Sequence, residues 1–519
     1  MMHTNSALFR IADTTTILCG ESHAAAAALN QATDTWVARL LTAGVTMGDR
    51  VAVFGGKSIA QSTLMLAILR MGAVLVPIYS GLKAAQVDHI IADSLPVLAI
   101  VPDASLDLFR PACTARGVGL LTMDALAQGQ GGLQGPMPPA GQPDADDPAA
   151  IIYTSGSTGL PKGVVFSRRN LILGARSVAG YVGMTRNDRV LCLLPFSFDA
   201  GLNQFLAAIV AGSSIVLADF IHAAPLAALC KKTAVTIITA VPGLWTKIGE
   251  HDWKDCGASV RMICNTGGHF HPELMERVRA IFSRAAVMPM YGFTEAFRCA
   301  RQTPQGAVHK PGSVGRAIPH ASFAIISDAG RLCQAGEVGE LVQFGPLVTL
   351  GYWKLPEVNR EKFRPIDPGI LAALQSGGGD LFRCDPAHLG QVARSGDLMR
   401  VDGDGDLYFV NRKDAMIKAN GFRISPTELE NACMAEGALA AVAIHHATDR
   451  GDVIAVIWLA GPEDTEPAAS KIARLKQKLP GYMVPQVIEK VTEMPVNANG
   501  KFDRNAIKAA FVNRKEFVS

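Results

Sequence analysis

Residues Tyr153 to Gly163 read Tyr-Thr-Ser-Gly-Ser-Thr-Gly-Leu-Pro-Lys-Gly, between the apolar runs Ala149-Ala150-Ile151-Ile152 and Val164-Val165-Phe166. Two strand-like runs joined by such a loop constrain the chain strongly. Glycines at 156, 159 and 163 let the backbone turn so that its N–H groups converge on an anion, and Ser155, Ser157, Thr158 and Lys162 add donors and a positive charge. Gly163 follows Lys162 where a P-loop nucleotidase has Ser or Thr, which disfavours that class. A flexible linker is the bland alternative, and the flanking strand-like runs argue against it.

A chain of 519 residues exceeds one ordinary core and implies two or three domains. Hydrophobic residues at 49% with charged residues at 18% describe a globular protein. The charge of +3 comes from 49 basic and 46 acidic residues without long runs, so no footprint for nucleic acid is expected. Ten cysteines without Cys-x-x-Cys spacing read as scattered thiols rather than a disulfide framework or zinc site, which suits a cytoplasmic location. No apolar stretch reaches the roughly 18 residues that a membrane span requires.

Helical spacing over 24–44 leads into a turn and strand at Gly48 to Phe54, and helix and strand alternate to Val101. That alternation predicts an α/β fold with parallel sheets covered by helices. Gln128 to Pro148 reads as an exposed loop, Gly377-Gly378-Gly379 as a surface excursion, and the chain after Asp414 as a compact tail with strands at 440–444 and 453–459 and a helix at 470–479.

Further motifs follow in order. Tyr291-Gly292-Phe293-Thr294-Glu295 is a tight turn before a Thr-Glu pair, and Ser395-Gly396-Asp397 is read as a strand end. Asp402-Gly403-Asp404-Gly405 is read as a hairpin turn before Leu407 to Arg412, and Ile417 to Arg423 contains a glycine loop. Ser425-Pro426-Thr427-Glu428 has the pattern of a capping box. Asn499-Gly500-Lys501 lies near the end.

Together with the loop at 153–163, these motifs resemble the adenylate-forming ligases over almost the whole chain. That superfamily contains acyl-CoA synthetases, aryl-CoA ligases, peptide-synthetase adenylation domains and luciferase. The resemblance implies a large N-terminal domain (1–411) of stacked, mostly parallel sheets with a distorted β-barrel, and a small, mobile α+β domain (412–519) that rotates about Asp414. It implies that Thr154 to Gly159 and Lys162 hold phosphates with Thr158 as a catalytic donor, that Glu295 holds Mg²⁺, and that an aromatic of the Tyr291, Gly292 and Thr294 motif packs on adenine. Asp397 would bind the ribose hydroxyls and Arg412 phosphate or ribose. Asn411 stands where the family usually has glycine. Lys501 would bridge the carboxylate and the α-phosphate, a task suited to a mobile ammonium. Lys418, Gly421 and Arg423 would enter for the second half-reaction, with Lys418 and Arg423 equally readable as solvated charges.

The resemblance places the acyl pocket at Phe198, Asp199, Asn203, Gly267 and Gly268, where glycine and alanine at 200, 201, 267 and 268 would leave room for bulk. Asp199 matches the aspartate that binds the α-ammonium in peptide-synthetase domains, and it could equally cap the helix predicted over 202–210. The implied substrates are ATP and a small carboxylic acid. The acceptor would be CoA or the phosphopantetheine of a separate acyl or peptidyl carrier protein, because no carrier region follows the tail. A non-catalytic relative that keeps the fold is the alternative from another class.

Overall fold

The computed structural model describes residues 9–129, 143–154, 161–375, 392–413, 417–419, 422–448, 451–479, 481–497 and 501–513. The expected alternation is present: helix Ala26–Thr42, strand Arg50–Phe54, helix Ile59–Arg70, strand Val74–Ile78, helix Ala84–Ser94 and strand Leu98–Val101. These strands are apolar on both faces because helices cover both sides, as parallel sheets require. They belong to a seven-stranded sheet that pairs Val74–Ile78 in parallel with Pro148–Thr154. That last strand turns back antiparallel into Lys162–Ser167.

A second sheet of thirteen strands changes character along its width. From Thr16–Cys19 through Ser214–Leu217, Arg189–Cys192, Ile237–Ala240 and Met262–Asn265 to Ala286–Tyr291 the pairing is parallel. From Ala286–Tyr291 onward, through Ala300–Arg301, Ser313–Ala317 and Leu407–Arg412 to Val392–Val401, Gly339–Phe344 and Ser322–Ile326, it is antiparallel. The antiparallel strands therefore continue the parallel sheet, and among the described residues their two ends do not close on each other. No helix among the described residues is long and apolar enough to cross a membrane.

The tail forms its own three-stranded sheet from Ala440–Thr448, Gly451–Leu459 and Val487–Val491, covered by helices Pro426–Ala435, Ala468–Lys478 and Arg504–Asn513. Ile424, Leu429, Val456, Trp458 and Leu475 make a core drawn only from this part of the chain. Ser425 caps its first helix as expected, its hydroxyl accepting the Glu428 N–H at 3.2 Å.

Ser395-Gly396-Asp397 departs from its reading as a strand end. It lies inside strand Val392–Val401, where Gly396 takes a φ of +75° and the ladder shifts register. A β-bulge in mid-strand and a turn at a strand end use the same small residues, so sequence cannot separate them. The neighbouring expectation holds, since Asp402 to Asp406 turn the chain from Val392–Val401 into Leu407–Arg412. Lys310 donates to Asp402, Asp404 and Asp406 at 2.8, 2.7 and 2.8 Å, so an ammonium fills the centre of this acidic ring. Nine described cysteines are all free.

Removing the ammonium with Lys310→Ala is expected to cost on the order of 1–3 kcal/mol, because three close carboxylates lose the cation they share and, among the described residues, only Asp406 keeps another, Arg316 at 3.3 Å. Lys310 holds the Asp402 carboxyl below its ordinary pKa, although burial opposes that. The stabilisation is therefore present above the unfolded carboxylate pKa and is lost as pH falls through the folded one. Denaturant titrations of wild type and variant should differ most near neutrality and converge in acid.

Candidate active site

The hairpin of Pro148–Thr154 and Lys162–Ser167 sets Thr154 opposite Lys162, so the two ends of the glycine-rich loop are locked side by side. Gly163 is required here, since a Cβ would crowd the Ile151 side chain and the Tyr153 ring. Tyr153 donates to Asp93 at 2.6 Å and His89 meets the Pro161 carbonyl at 2.8 Å, which pins both ends to helix Ala84–Ser94. Thr154 and Lys162 face a cleft of about 870 Å³. Ser155, Gly156, Ser157, Thr158 and Gly159 lie outside the described residues, as do Asp414, Gly421 and Gly377-Gly378-Gly379.

Across the cleft, strand pairing brings Asp397 opposite Arg412. The buried Asp397 accepts from the Tyr291 hydroxyl at 2.6 Å, and its other oxygen lies 3.7 Å from Arg412 Nε without a hydrogen bond. Burial raises the Asp397 pKa, and Arg412 and Tyr291 pull it back. Burial and Asp397 together raise that of Tyr291, so the phenol stays a donor. An unbonded oxygen on a cleft-lining carboxylate suits a ligand hydroxyl. Asn411 is buried in the strand, its amide oxygen 3.3 Å from the Thr427 hydroxyl.

Glu295 follows Thr294 in the short turn after Tyr291 and also lines the cleft. Tyr352 donates to its Oε1, and Lys362 reaches the same atom at 3.7 Å. Both approach one oxygen and leave the second for a cation, which fits a magnesium ion held by one carboxylate, phosphate oxygens and water.

Lys501 enters from the tail. Asn497 accepts the Lys501 N–H through its side chain at 3.1 Å and donates its own N–H to the Lys501 carbonyl at 2.7 Å, which fixes the backbone from which the side chain extends. The side chain lies in the cleft against Gly267, where a Cβ would come within 3.4 Å of Lys501 Cε and 3.0 Å of Val241. Desolvation lowers the Lys501 pKa, opposed by Asp199 and Asp397 and assisted by Arg412. The residue as a whole is exposed, while the end of its side chain reaches into the cleft beside Gly267.

Asp199 is the first residue of helix Asp199–Ala211, with Phe198 rather than Asp199 at the N-cap. Its Oδ1 accepts the Ala200 N–H at 2.7 Å, so the carboxylate supports the first turn while lining the cleft. Phe198 packs on Tyr79, ring centroids 5.4 Å apart, and is not part of the cleft lining. One turn on, Asn203 is fully buried and its amide has no partner among the described residues. The glycines do not provide space as expected. A Cβ on Gly201 would overlap the Pro195 carbonyl, and one on Gly268 would press on Pro242 at 3.1 Å. Their missing side chains admit neighbouring chain instead. Lys418 and Arg423 stand opposite each other in the ribbon Ile417–Ala419 and Phe422–Ile424.

Several cleft residues escaped the sequence reading, Arg298 among them. Arg298 is 4% exposed, donates from Nη1 to Thr266 Oγ1 at 2.9 Å and leaves Nε without a partner. The preceding Phe297 has φ +58° and ψ −62°, a γ-turn closed by Arg298 N–H to the Ala296 carbonyl at 2.6 Å, a conformation worth roughly 1–3 kcal/mol of strain. The only sequence signal was an arginine inside the run Ala296-Phe297-Arg298-Cys299-Ala300. His269 lines the same wall, and burial lowers its pKa to about 4, so its imidazole is neutral.

Residues 13–353 match the family described as AMP-binding enzyme. Indoleacetate–CoA ligase of Aromatoleum aromaticum is 29% identical over 92% of this chain and 91% of its own length. A linear gramicidin synthase and tyrocidine synthase 2, both of Brevibacillus parabrevis, are each 27% identical over 95% of this chain, which spans only 6% and 13% of their lengths. Among solved structures, ATP-bound MatB from Rhodopseudomonas palustris aligns with a TM-score of 0.84 at 22% identity, covering 98% of this chain and 99% of that one. The fold is therefore the one expected.

Gly267→Ala forces a side chain onto a φ of +71° and against Lys501. In wild type, amine-selective labelling of Lys501 should have its midpoint below the ordinary lysine pKa. In the variant the midpoint should move up, because a lysine pushed out of the cleft regains solvent. An unchanged midpoint would disconnect Gly267 from Lys501.

Proposed function

Because the chain belongs to the AMP-binding enzyme family, we propose that it activates a carboxylic acid with ATP and passes the acyl group to a thiol. The observation that carries this reading is Lys501, delivered by the tail into a cleft that Thr154, Lys162, Asp397 and Arg412 line from the other side. In the first step a substrate carboxylate oxygen attacks the α-phosphorus and the bond to pyrophosphate breaks, giving an acyl-adenylate. In the second a thiol sulfur attacks the acyl carbon, AMP leaves with the bonding electrons, and the thiol proton passes to solvent.

The chain's own groups divide this work. Lys162 and the loop at 155–160 hold the leaving phosphates, while Asp397 and Arg412 fix the ribose. Lys501 bridges the carboxylate and the α-phosphate, where its positive charge offsets charge developing in the transition state. A magnesium ion at Glu295 would supply further charge neutralisation when bound. We assign the large domain to 1–411 and the small one to 412–519, with rotation at Asp414 withdrawing Lys501 and bringing in the 417–423 ribbon. The separate core of the tail supports that division. The free cysteines are consistent with a reducing cytoplasm.

CoA is the acceptor we favour. A second cavity of about 450 Å³, lined by Gly55, Tyr79, Pro195, Val241 and Leu244, shares Asn497 with the first and offers a second approach for a thiol arm. The second reading, amino-acid activation for a separate carrier protein, is favoured by one observation. Asp199 presents a cleft-lining carboxylate with no ion pair among the described residues.

Pyrophosphate release should be measured with ATP and Mg²⁺ across fatty, aryl and amino acids, with and without CoA. Lys501→Ala is expected to lower adenylation by about 10²- to 10³-fold, with little change in the KM for ATP. Release that depends on CoA supports the first reading. Release with amino acids that CoA does not accelerate, abolished by Asp199→Ala, transfers support to the second. Equal activity of Lys501→Ala and wild type would sink both.

A further inference from the structure

The cleft wall carries an unexplained positive charge. Arg298 is buried, lines the cleft and forms no ion pair among the described residues, and Thr266 is the only described side chain that accepts from it. Its Nε points at no partner.

The backbone that holds it is fixed from several directions. Residues 292–298 form a loop closed by the pairing of Tyr291 with Ala300, and the Cys299 N–H donates to the Tyr291 carbonyl at 3.1 Å. Gly292 allows the loop to fold on itself, since a Cβ there would stand 3.1 Å from Arg298 Cα. The buried Gln343 donates to the carbonyls of both Ala296 and Arg298, at 3.1 and 2.7 Å. Phe297 is locked against Phe166 with ring centroids 5.0 Å apart, in space left by Gly174. A strained turn held this firmly, with a guanidinium at its end, is a preorganised site. A buried guanidinium with open donor capacity suits a planar, anionic oxygen group.

Lys162 and Arg412 line other parts of the cleft, and Lys501 reaches in from the tail beside Gly267. Arg298 instead follows the substrate wall of Asp199, Thr266 and Gly267, and its charge acts on Asp199. Asn203, one helical turn from Asp199, adds a second buried polar group without a partner.

We infer that Arg298 is a specificity-determining residue that binds a second anionic group on the acid, so that the substrates are acids carrying another carboxylate beyond the one that reacts. This rests on the carboxylate-activating reading above. Asp199 on the same wall extends the class to amino dicarboxylic acids.

The test is acid-dependent ATP–pyrophosphate exchange with succinate, glutarate, aspartate and glutamate against butyrate and the monomethyl esters of the two diacids. Wild type should prefer at least one diacid over its monoester by roughly 30-fold or more in kcat/KM. Arg298→Gln should erase that preference through the KM for the diacid while leaving the KM for ATP and the rate with the monoester near wild type. Arg298→Lys should retain part of it. Exchange in wild type that favours acids without a second carboxylate, or an Arg298→Gln variant that loses all acids equally, would overturn the inference and leave the ligase reading standing. If the variants do not fold, the wild-type panel alone decides. Absence of exchange with every acid, in these and in the broader panel, would overturn both.

Discussion

One strand, Ala286–Tyr291, pairs in parallel with Met262–Asn265 on one side and antiparallel with Ala300–Arg301 on the other. The cleft depends on this change of direction. Parallel strands deliver their carboxyl ends to one edge, which brings Asn265 to Gly268 and Met290 to Glu295 together. The antiparallel strands return across that edge, so Asp397 and Arg412 face Tyr291. A sheet of one kind throughout would place these groups at opposite ends.

Charge is distributed in the cleft by the same logic. Burial disfavours ionisation of Asp397 and Asp199, and the cations near the cleft carboxylates come from other segments: Arg412, Arg298, Lys362 and Lys501. Lys501 belongs to the separately packed tail. Its approach therefore couples the position of the tail to the electrostatic balance of the cleft, which a triphosphate would alter by its own charge.

The elements legible in the sequence were those whose chemistry is local. The apolar runs on either side of the glycine-rich loop, read as strands, and the Ser-Pro-x-Glu helix start each specify their geometry within a few residues. Arg298, Tyr352, Lys362 and Gln343 were not legible, because their roles arise only when segments far apart in sequence pair or pack. The acyl-pocket glycines were misread for a related reason: absence of a side chain is equally an absence of bulk and an invitation to close packing, and Gly201 took the second course against Pro195. Asp199 fits neither alternative as the sequence leaves it: it is the first helical residue rather than the cap, and its carboxylate accepts the Ala200 N–H while lining the cleft.

The loop that carries Arg298 is held by Gln343, Gly292, Phe166 and the pairing of Tyr291 with Ala300, and none of these contacts uses the Arg298 side chain. Scaffold and reader are thus separable at this position. A change of side chain at residue 298 would therefore alter the chemistry of the cleft wall while leaving in place the turn that presents it.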